Sequence, residues 1–290
     1  MPGTAIQLLH PLDAGAFLRL AREFLHADEI ENNVMLGRVE EAAAHPERAP
    51  AGDYYAVATV GGAVAGAALR AANRPGRPVV LSRMPAECAA AMAVDLAREE
   101  PPLPAASGIR PTIDAFAAAY CQATDAGARV VKELRMYRLD AVAGDWPAPG
   151  RFRAAAPDEL DAVCLWAAKF LMELGLGAMR EEETATFRRM IAETRVFVWD
   201  DGGAVAMAAW IPATPQTGRL EWVYTPPALR CRGYATACVA ALSHHLLAAG
   251  RIAMLGANVA NPTSNSIYRK IGYRPVCDSA EYRFDFPGAH

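Results

Sequence analysis

The sequence predicts an α/β (α+β) fold with two tandem domains, each a mixed, mostly antiparallel sheet flanked by helices. The pentapeptide GGAVA occurs twice, at residues 61–65 and 202–206, separated by almost half of the 290-residue chain. Each half also closes on a similar strand, MYRLD at residues 136–140 and EYRFD at residues 281–285. Similar segments in the same order indicate a structural unit that is present twice.

Length and composition agree with two domains. The chain exceeds the usual single-domain length of about 100–150 residues. Its residues are 53% hydrophobic and 21% charged, which suits buried cores rather than disorder. The segment AGDWPAPGR between the halves is rich in Gly and Pro, which is typical of a linker. We therefore predict a first domain at 1–145 and a second at 146–290.

Helix and strand patterns follow the same order in both halves. Apolar residues repeat every three to four positions over residues 17–25 and again in LDAVCLWAAKFLMEL, which predicts a helix near the start of each half. The strands YYAVATV and AVAGAALR then flank Gly61-Gly62, and RVFVWDD and AVAMAAWIP flank Gly202-Gly203. A Gly pair between two apolar strands is typical of a two-residue hairpin turn.

Charge and cysteine content argue against several classes of partner. A net charge of −3 does not favour binding to nucleic acid or to an anionic membrane. The six cysteines are scattered, without metal-ligand spacing, so we expect no metal site and a reducing, cytoplasmic environment. We also expect no signal peptide and no membrane span, because no segment has the required apolar length.

The second half contains a loop that suits an anion. Leu220, Trp222 and Tyr224 alternate with polar or smaller residues in a strand that Pro226-Pro227 ends. The basic loop ALRCRG, which ends at Gly233, then leads into an apolar-faced helix. A glycine loop at a helix N-terminus points backbone N–H groups and the positive end of the helix dipole at a ligand. This arrangement predicts a diphosphate site, although a solvated basic loop remains an alternative.

A second polar helix follows this loop. Asn261 suits the N-cap of the helix and Pro262 its first position, and Gly272 ends it. Asn261, Asn265 and Tyr268 are spaced at i, i+4 and i+7, so they are expected on one helical face. Two amides and a phenol beside a candidate diphosphate loop favour a site over an ordinary surface.

These two motifs resemble those of the GNAT superfamily of acyl-CoA-dependent N-acetyltransferases. The loop Arg230-x-x-Gly233-x-Ala235 resembles the family's Arg/Gln-x-x-Gly-x-Gly/Ala motif. Asn261 with Tyr268, followed by Gly272-Tyr273, resembles the family's second signature. The first half contains neither motif, and Tyr120, which stands where Tyr268 does, has no Asn seven residues before it. The resemblance implies two GNAT-like domains, with a degenerate first copy and a catalytic second copy.

The resemblance also implies acetyl-CoA as co-substrate and assigns roles to residues. Tyr268 takes the place of the acid that faces the thiolate, and Glu221 lies where some members carry a base, with an ion-pair partner as its alternative role. Strand residues around Val223 would pair with the pantetheine arm. The implied cofactor-binding set is Val223, Tyr224, Thr225, Arg230, Cys231, Arg232, Gly233, Tyr234, Ala235, Thr236, Asn261, Asn265 and Tyr268.

The acceptor and the assembly state stay open at this stage. The resemblance implies a primary amine of a small molecule or peptide as acceptor, and a monomer or homodimer. Two other functions remain alternatives, a regulatory module that binds acyl-CoA without turnover and an aminoacyl-tRNA-dependent transferase. The acidic charge balance and the intact loop argue against the tRNA-dependent reaction.

Overall fold

The two halves of the chain have the same order of elements in the computed structural model, which describes residues 5–48, 52–71, 76–175 and 177–287. The first half contains β1 (Ile6–Leu9), α1 (Ala14–His26), α2 (Asn33–Ala44), β2 (Tyr54–Val60), β3 (Ala63–Arg70), β4 (Val79–Leu81), α3 (Ala86–Leu96), β5 (Ala105–Ile109), α4 (Thr112–Thr124) and β6 (Gly127–Leu139). The second half contains β7 (Arg151–Ala154), α5 (Leu160–Glu173), α6 (Glu181–Ala192), β8 (Val196–Asp200), β9 (Ala204–Pro212), β10 (Thr217–Tyr224), α7 (Tyr234–Ala248), β11 (Ile252–Asn258), α8 (Pro262–Ile271) and β12 (Arg274–Asp285). This agreement confirms the predicted fold class and the repeat.

The first compact unit comprises Met1–Met136, Ala257–Asn261 and Pro275–His290. Its strands are ordered β1-β2-β3-β4-β5-β12-β6. The hairpin β2–β3 turns at Gly61-Gly62 as predicted, and β4 pairs with β5 in parallel. Helices α3 and α4 pack on one face of the sheet, and helices α1 and α2 pack on the other face, so that alternating residues of β2 and β3 belong to two core layers.

The second compact unit comprises Tyr137–Gly256 and Pro262–Arg274. Its strands are ordered β11-β10-β9-β8-β7, with β10 and β11 parallel and the other pairs antiparallel. Residues of α5 and α6 pack on this sheet around Val163, Phe187 and Met207. The buried side of α7 carries Val239, Leu242 and Leu246, as its apolar spacing predicts.

The compact units do not coincide with the two halves of the sequence. The last strand, β12, pairs with β5 from Ser279–Ile109 to Arg283–Ala105, and both segments lie in the first unit. A cut between residues 145 and 146 would therefore remove β12 from its partner strand. The division into domains at 1–145 and 146–290 remains a proposal about the repeat, while the packing follows the discontinuous units.

Candidate active site

Strand β10 is bulged near its C-terminal end. Its parallel pairing with β11 runs from Thr217–Ile252 to Leu220–Leu255, although β10 continues to Tyr224. Its register with β9 shifts between Glu221 and Tyr224, and Trp222 adopts a φ of 56°. A β-bulge turns backbone groups out of the ladder, so the segment around Val223 can offer N–H and C=O groups to a ligand.

The loop after β10 offers unused backbone donors. A single helical turn, Pro227–Leu229, follows the strand, and Cys231 and Gly233 have φ values of 63° and 85°. The N–H groups of residues 231–236 donate to no protein acceptor among the described residues. Helix α7 begins at Tyr234 and has no acidic residue in its first turn. Left-handed residues that aim successive N–H groups at one point form an anion-binding concavity.

The two arginines of this loop have different environments. The guanidinium of Arg230 contacts Glu173, its Nε donates to the Thr225 carbonyl at 2.9 Å, and its Cζ lies 5.6 Å from the centre of the Tyr224 ring. Arg232 is exposed, and its Nη2 makes a long hydrogen bond of 3.4 Å to the Ala228 carbonyl. In this structure Arg232 is therefore the more accessible charge for a phosphate, while Arg230 fastens the loop.

A cavity of about 230 Å³ lies against the loop. It is lined by Trp146, Pro147, Gly233, Thr236, Ile267 and Lys270. A Cβ atom placed on Gly233 would meet no heavy atom closer than 4.0 Å, so its positive φ and the approach of a ligand are what require a glycine there. Tyr234 is buried and donates to Asp201 at 2.5 Å, so only its backbone can serve the site.

The polar residues predicted on one face of α8 differ in exposure, and only some of them are open to a ligand. Asn265 is 5% exposed, and its Oδ1 accepts a hydrogen bond of 2.7 Å from the Tyr137 hydroxyl. Asn265 thus supports the helix from within rather than facing an open channel. Asn261 is exposed immediately before Pro262, and Ala235 is half-buried in the first turn of α7. Tyr137 escaped the sequence analysis because it belongs to a strand distant along the chain.

Tyr268 lies beside two other tyrosines. Its ring lies between those of Tyr137 and Tyr273, at centroid distances of 6.3 Å and 6.0 Å. No described residue hydrogen-bonds its hydroxyl. Burial, with a smaller contribution from Tyr137, raises the pKa of Tyr268 to about 12. A phenol with this pKa stays protonated at neutral pH, so its hydroxyl can donate a hydrogen bond to a ligand.

Glu221 and the aromatic residues lie at the bulge. The Glu221 carboxylate contacts the Arg219 guanidinium at 2.7 Å, which is the ion-pair role considered above. The Trp222 ring packs on Phe170 of α5 and Phe187 of α6, at centroid distances of 5.6 Å and 5.0 Å. Because Trp222 and Phe170 are only partly buried, this side of the sheet presents an aromatic surface next to the bulge.

Two structural tests bear on metals and membranes. Among residues 5–48, 52–71, 76–175 and 177–287, no cluster of three or more His, Cys, Asp or Glu side chains is arranged to hold a metal ion. Within the same ranges no helix has the length and apolar character needed to cross a bilayer.

Comparisons with known proteins address the fold. The family model of FR47-like proteins matches residues 200–283, which contain the bulge, the loop and α8. A search of curated protein sequences gives no significant match. A GCN5-related N-acetyltransferase from Sphaerobacter thermophilus is 17% identical, with a TM-score of 0.64 and coverage of 98% of this chain and 96% of that one.

Two further solved structures show the same likeness over nearly the whole chain. A GNAT-family acetyltransferase from Colwellia psychrerythraea is 14% identical, with a TM-score of 0.57 and coverage of 98% of this chain and 100% of that one. A tandem GNAT protein from the clavulanic acid biosynthesis pathway is 15% identical, with a TM-score of 0.53 and coverage of 97% and 98%. The chain is therefore a tandem GNAT-fold protein whose second half carries the match to the FR47-like family.

Proposed function

We propose that the protein is an acetyl-CoA-dependent N-acetyltransferase that acts on a primary amine of a small molecule or peptide. The proposal is carried by one observation, the unused N–H groups of residues 231–236 next to the bulged end of β10. It is supported by the tandem GNAT fold and by the FR47-like match over residues 200–283. We also propose that the site lies in the second half only and that the protein works in the cytoplasm without a metal.

Each part of acetyl-CoA has residues that would bind it. The diphosphate would bind at the N-terminus of α7, with the N–H groups of residues 231–236 and the Arg232 guanidinium as donors. The pantetheine arm would pair with the backbone near Val223, where β10 has left its ladder with β11. Preorganised backbone N–H donors at the bulge would stabilise the carbonyl oxygen as it gains charge.

The reaction requires two proton movements. The amine nitrogen attacks the acetyl carbonyl carbon, a C–N bond forms, and the C–S bond breaks. The amine must lose a proton because amines with a pKa near 10 are protonated at neutral pH. Glu221, or a water that it orders, is the candidate base, and its contact with Arg219 keeps the carboxylate in place. Tyr268 is the candidate acid that gives its proton to the departing thiolate.

Calorimetry with CoA and an amine screen that follows release of CoA would test this function. We expect one CoA site per chain and turnover with at least one amine. CoA binding with no turnover across the panel would favour the alternative of a regulatory module. Two equivalent CoA sites would contradict the assignment of the site to the second half, and absence of CoA binding would overturn the proposal.

A further inference from the structure

The ion pair between Arg230 and Glu173 links two parts of the site. Arg230 Nη2 donates to both carboxylate oxygens of Glu173, at 2.6 Å and 2.8 Å. Glu173 is the last residue of α5, whereas Arg230 begins the anion-binding loop. The Tyr224 hydroxyl also lies 3.4 Å from a Glu173 oxygen. One carboxylate thus touches the loop arginine and a residue of the bulged strand.

Arg230 is held where a diphosphate would compete for it. Its backbone immediately precedes the unused N–H groups of residues 231–236. Arginine binds carboxylates and phosphates with the same bidentate geometry, and a diphosphate carries more charge than one carboxylate. The two side chains are 43% and 44% exposed, and exposed ion pairs are weak. Arg230 can therefore exchange its contact with Glu173 for a bound diphosphate at a small cost in free energy.

If Arg230 turned to a diphosphate, the charge of Glu173 would no longer be paired. Its carboxylate would then lie unpaired beside the Tyr224 hydroxyl, near the aromatic surface formed by Phe170 and Trp222. A carboxylate in this position attracts a cation, and an aromatic face adds to that attraction. Binding of a diphosphate at the loop would thus leave the Glu173 carboxylate unpaired on the side of the sheet that carries α5 and α6.

We propose that Glu173 and Arg230 form a latch that makes acceptor binding depend on prior binding of CoA. The diphosphate takes Arg230, and the released Glu173 carboxylate receives the positive charge of a cationic amine acceptor. This inference rests on the proposed function and deepens it, because it names a cationic acceptor and an order of binding. Glu173 acts as a binding and positioning residue, and proton transfer stays with Glu221 and Tyr268.

The test compares Glu173→Gln with the control Glu181→Gln, which removes one exposed carboxylate from the neighbouring helix α6. Calorimetry with CoA alone should give about two- to five-fold tighter binding for Glu173→Gln than for the control, the affinity equivalent of an exposed ion pair. At saturating acetyl-CoA, its KM for a cationic amine should rise about ten-fold or more with little change in kcat, because a charged hydrogen bond to the acceptor is lost.

Each outcome decides one part of the proposal. Equal CoA affinity in Glu173→Gln and Glu181→Gln would overturn the latch, and equal KM values would overturn the acceptor role. If Glu173→Gln does not fold, Glu173→Asp replaces it, since the shorter side chain breaks the contact with Arg230 but retains the charge. That variant should bind CoA more tightly while keeping a lower amine KM than the Gln variant. Absence of CoA binding by the wild-type protein would instead refute the proposed function.

Discussion

The junction between a strand and the next helix is built differently in the two halves. In the second half, residues 225–233 connect β10 to α7 and leave the N–H groups of residues 231–236 without protein acceptors among the described residues. In the first half, only residues 82–85 connect β4 to α3. The Ser82 N–H donates to the Ala67 carbonyl, the Met84 N–H donates to Thr112 Oγ1, and Pro85 has no N–H to offer.

The first junction is also closed by packing and charge. Met84 is buried, and a Cβ atom on Gly66 would lie 2.5 Å from the Met84 Cβ. Glu87 occupies the first turn of α3, where the helix dipole favours a negative side chain and a bound anion would be repelled. The N–H groups of Arg83, Ala86 and Glu87 also donate to no described acceptor, so three donors are unused there, against six at residues 231–236. The same order of elements can therefore serve as a site or as a core, depending on how many backbone donors stay unused and on what packs against them.

The tyrosines of the two halves show the same contrast. Tyr120 on α4 is fully buried, and its hydroxyl accepts a hydrogen bond of 2.8 Å from the Leu103 N–H. Tyr268 on α8 is only partly buried and has no hydrogen-bond partner for its hydroxyl among the described residues. We interpret Tyr120 as a structural residue and Tyr268 as one whose hydroxyl serves the reaction.

The largest expected effect concerns Gly233. Gly233→Val should lower the affinity for CoA by about 100-fold or more, because the branched side chain strains a positive φ and blocks approach of the diphosphate. Gly62→Val is a matched control, since Gly62 has the same φ of 85° and also has open space around it. Calorimetry should show normal CoA affinity for the control. Similar losses in both variants would indicate general misfolding rather than a site confined to the second half.

Removal of the Tyr268 hydroxyl should be the next largest effect. Tyr268→Phe should lower kcat by about 10- to 1,000-fold, since a positioned proton donor is lost. CoA affinity and the thermal midpoint should change little, because the hydroxyl makes no hydrogen bond to a described residue. Turnover at the wild-type rate would show that Tyr268 is a packing residue, as Tyr120 is. Parallel loss of CoA binding and turnover would assign the effect to structure.

The corresponding change in the first half should act on stability instead. Tyr120→Phe leaves the buried Leu103 N–H without its acceptor, which should lower the free energy of unfolding by about 1–3 kcal/mol. The folded protein should retain wild-type turnover and CoA affinity. Far-UV circular dichroism during denaturation would measure the change. A large loss of turnover in fully folded Tyr120→Phe would contradict the structural role of this tyrosine.

Local patterns in the sequence predicted much of this architecture. The hairpin at Gly61-Gly62 forms as a two-residue turn as expected, whereas the hairpin at Gly202-Gly203 has a three-residue connection that also includes Asp201. Helices α7 and α8 follow the strands as the motifs indicate. Apolar periodicity and turn residues depend on neighbours in the chain, so a single sequence displays them. The helices α2, α3 and α4 and the short strands β1, β4, β5 and β7 were not predicted. Their sequences show weak periodicity, so these elements form because of their packing in the folded chain.

Long-range partners could not be predicted in the same way. Tyr137, which donates to Asn265, is 128 residues away from it along the chain. The contact between Glu173 and Arg230 spans 57 residues, and it changes the expectation that Arg230 stands open to the diphosphate. Trp146 lines the cavity although its segment reads as a linker. Such pairs depend on the arrangement of distant elements, which periodicity does not encode.

The smallest expected effect is a pH dependence of stability that arises in the first unit. In the first unit, His26 on α1 lies 2.8 Å from Glu29 through Nδ1 and 2.8 Å from Glu40 of α2 through Nε2. Burial alone would lower the pKa of His26, but the two carboxylates outweigh it and raise the pKa above its usual value. The charged form is favoured in the folded state, so its contribution is complete below about pH 6.5 and is lost as pH rises through the higher folded pKa.

Wild-type protein should therefore lose up to about 1 kcal/mol of stability between pH 5.5 and 8.5 that His26→Gln does not lose, a magnitude typical of partly exposed pairs. All five Trp residues lie in the second unit, so Trp fluorescence follows unfolding of that unit alone, whereas far-UV circular dichroism follows both units. His244→Gln, an exposed position on α7, is the control. Parallel pH curves of stability for wild type and His26→Gln would show that the contacts of His26 with Glu29 and Glu40 do not stabilise the first unit. A pH-dependent shift of the Trp fluorescence transition would instead place the titrating group in the second unit.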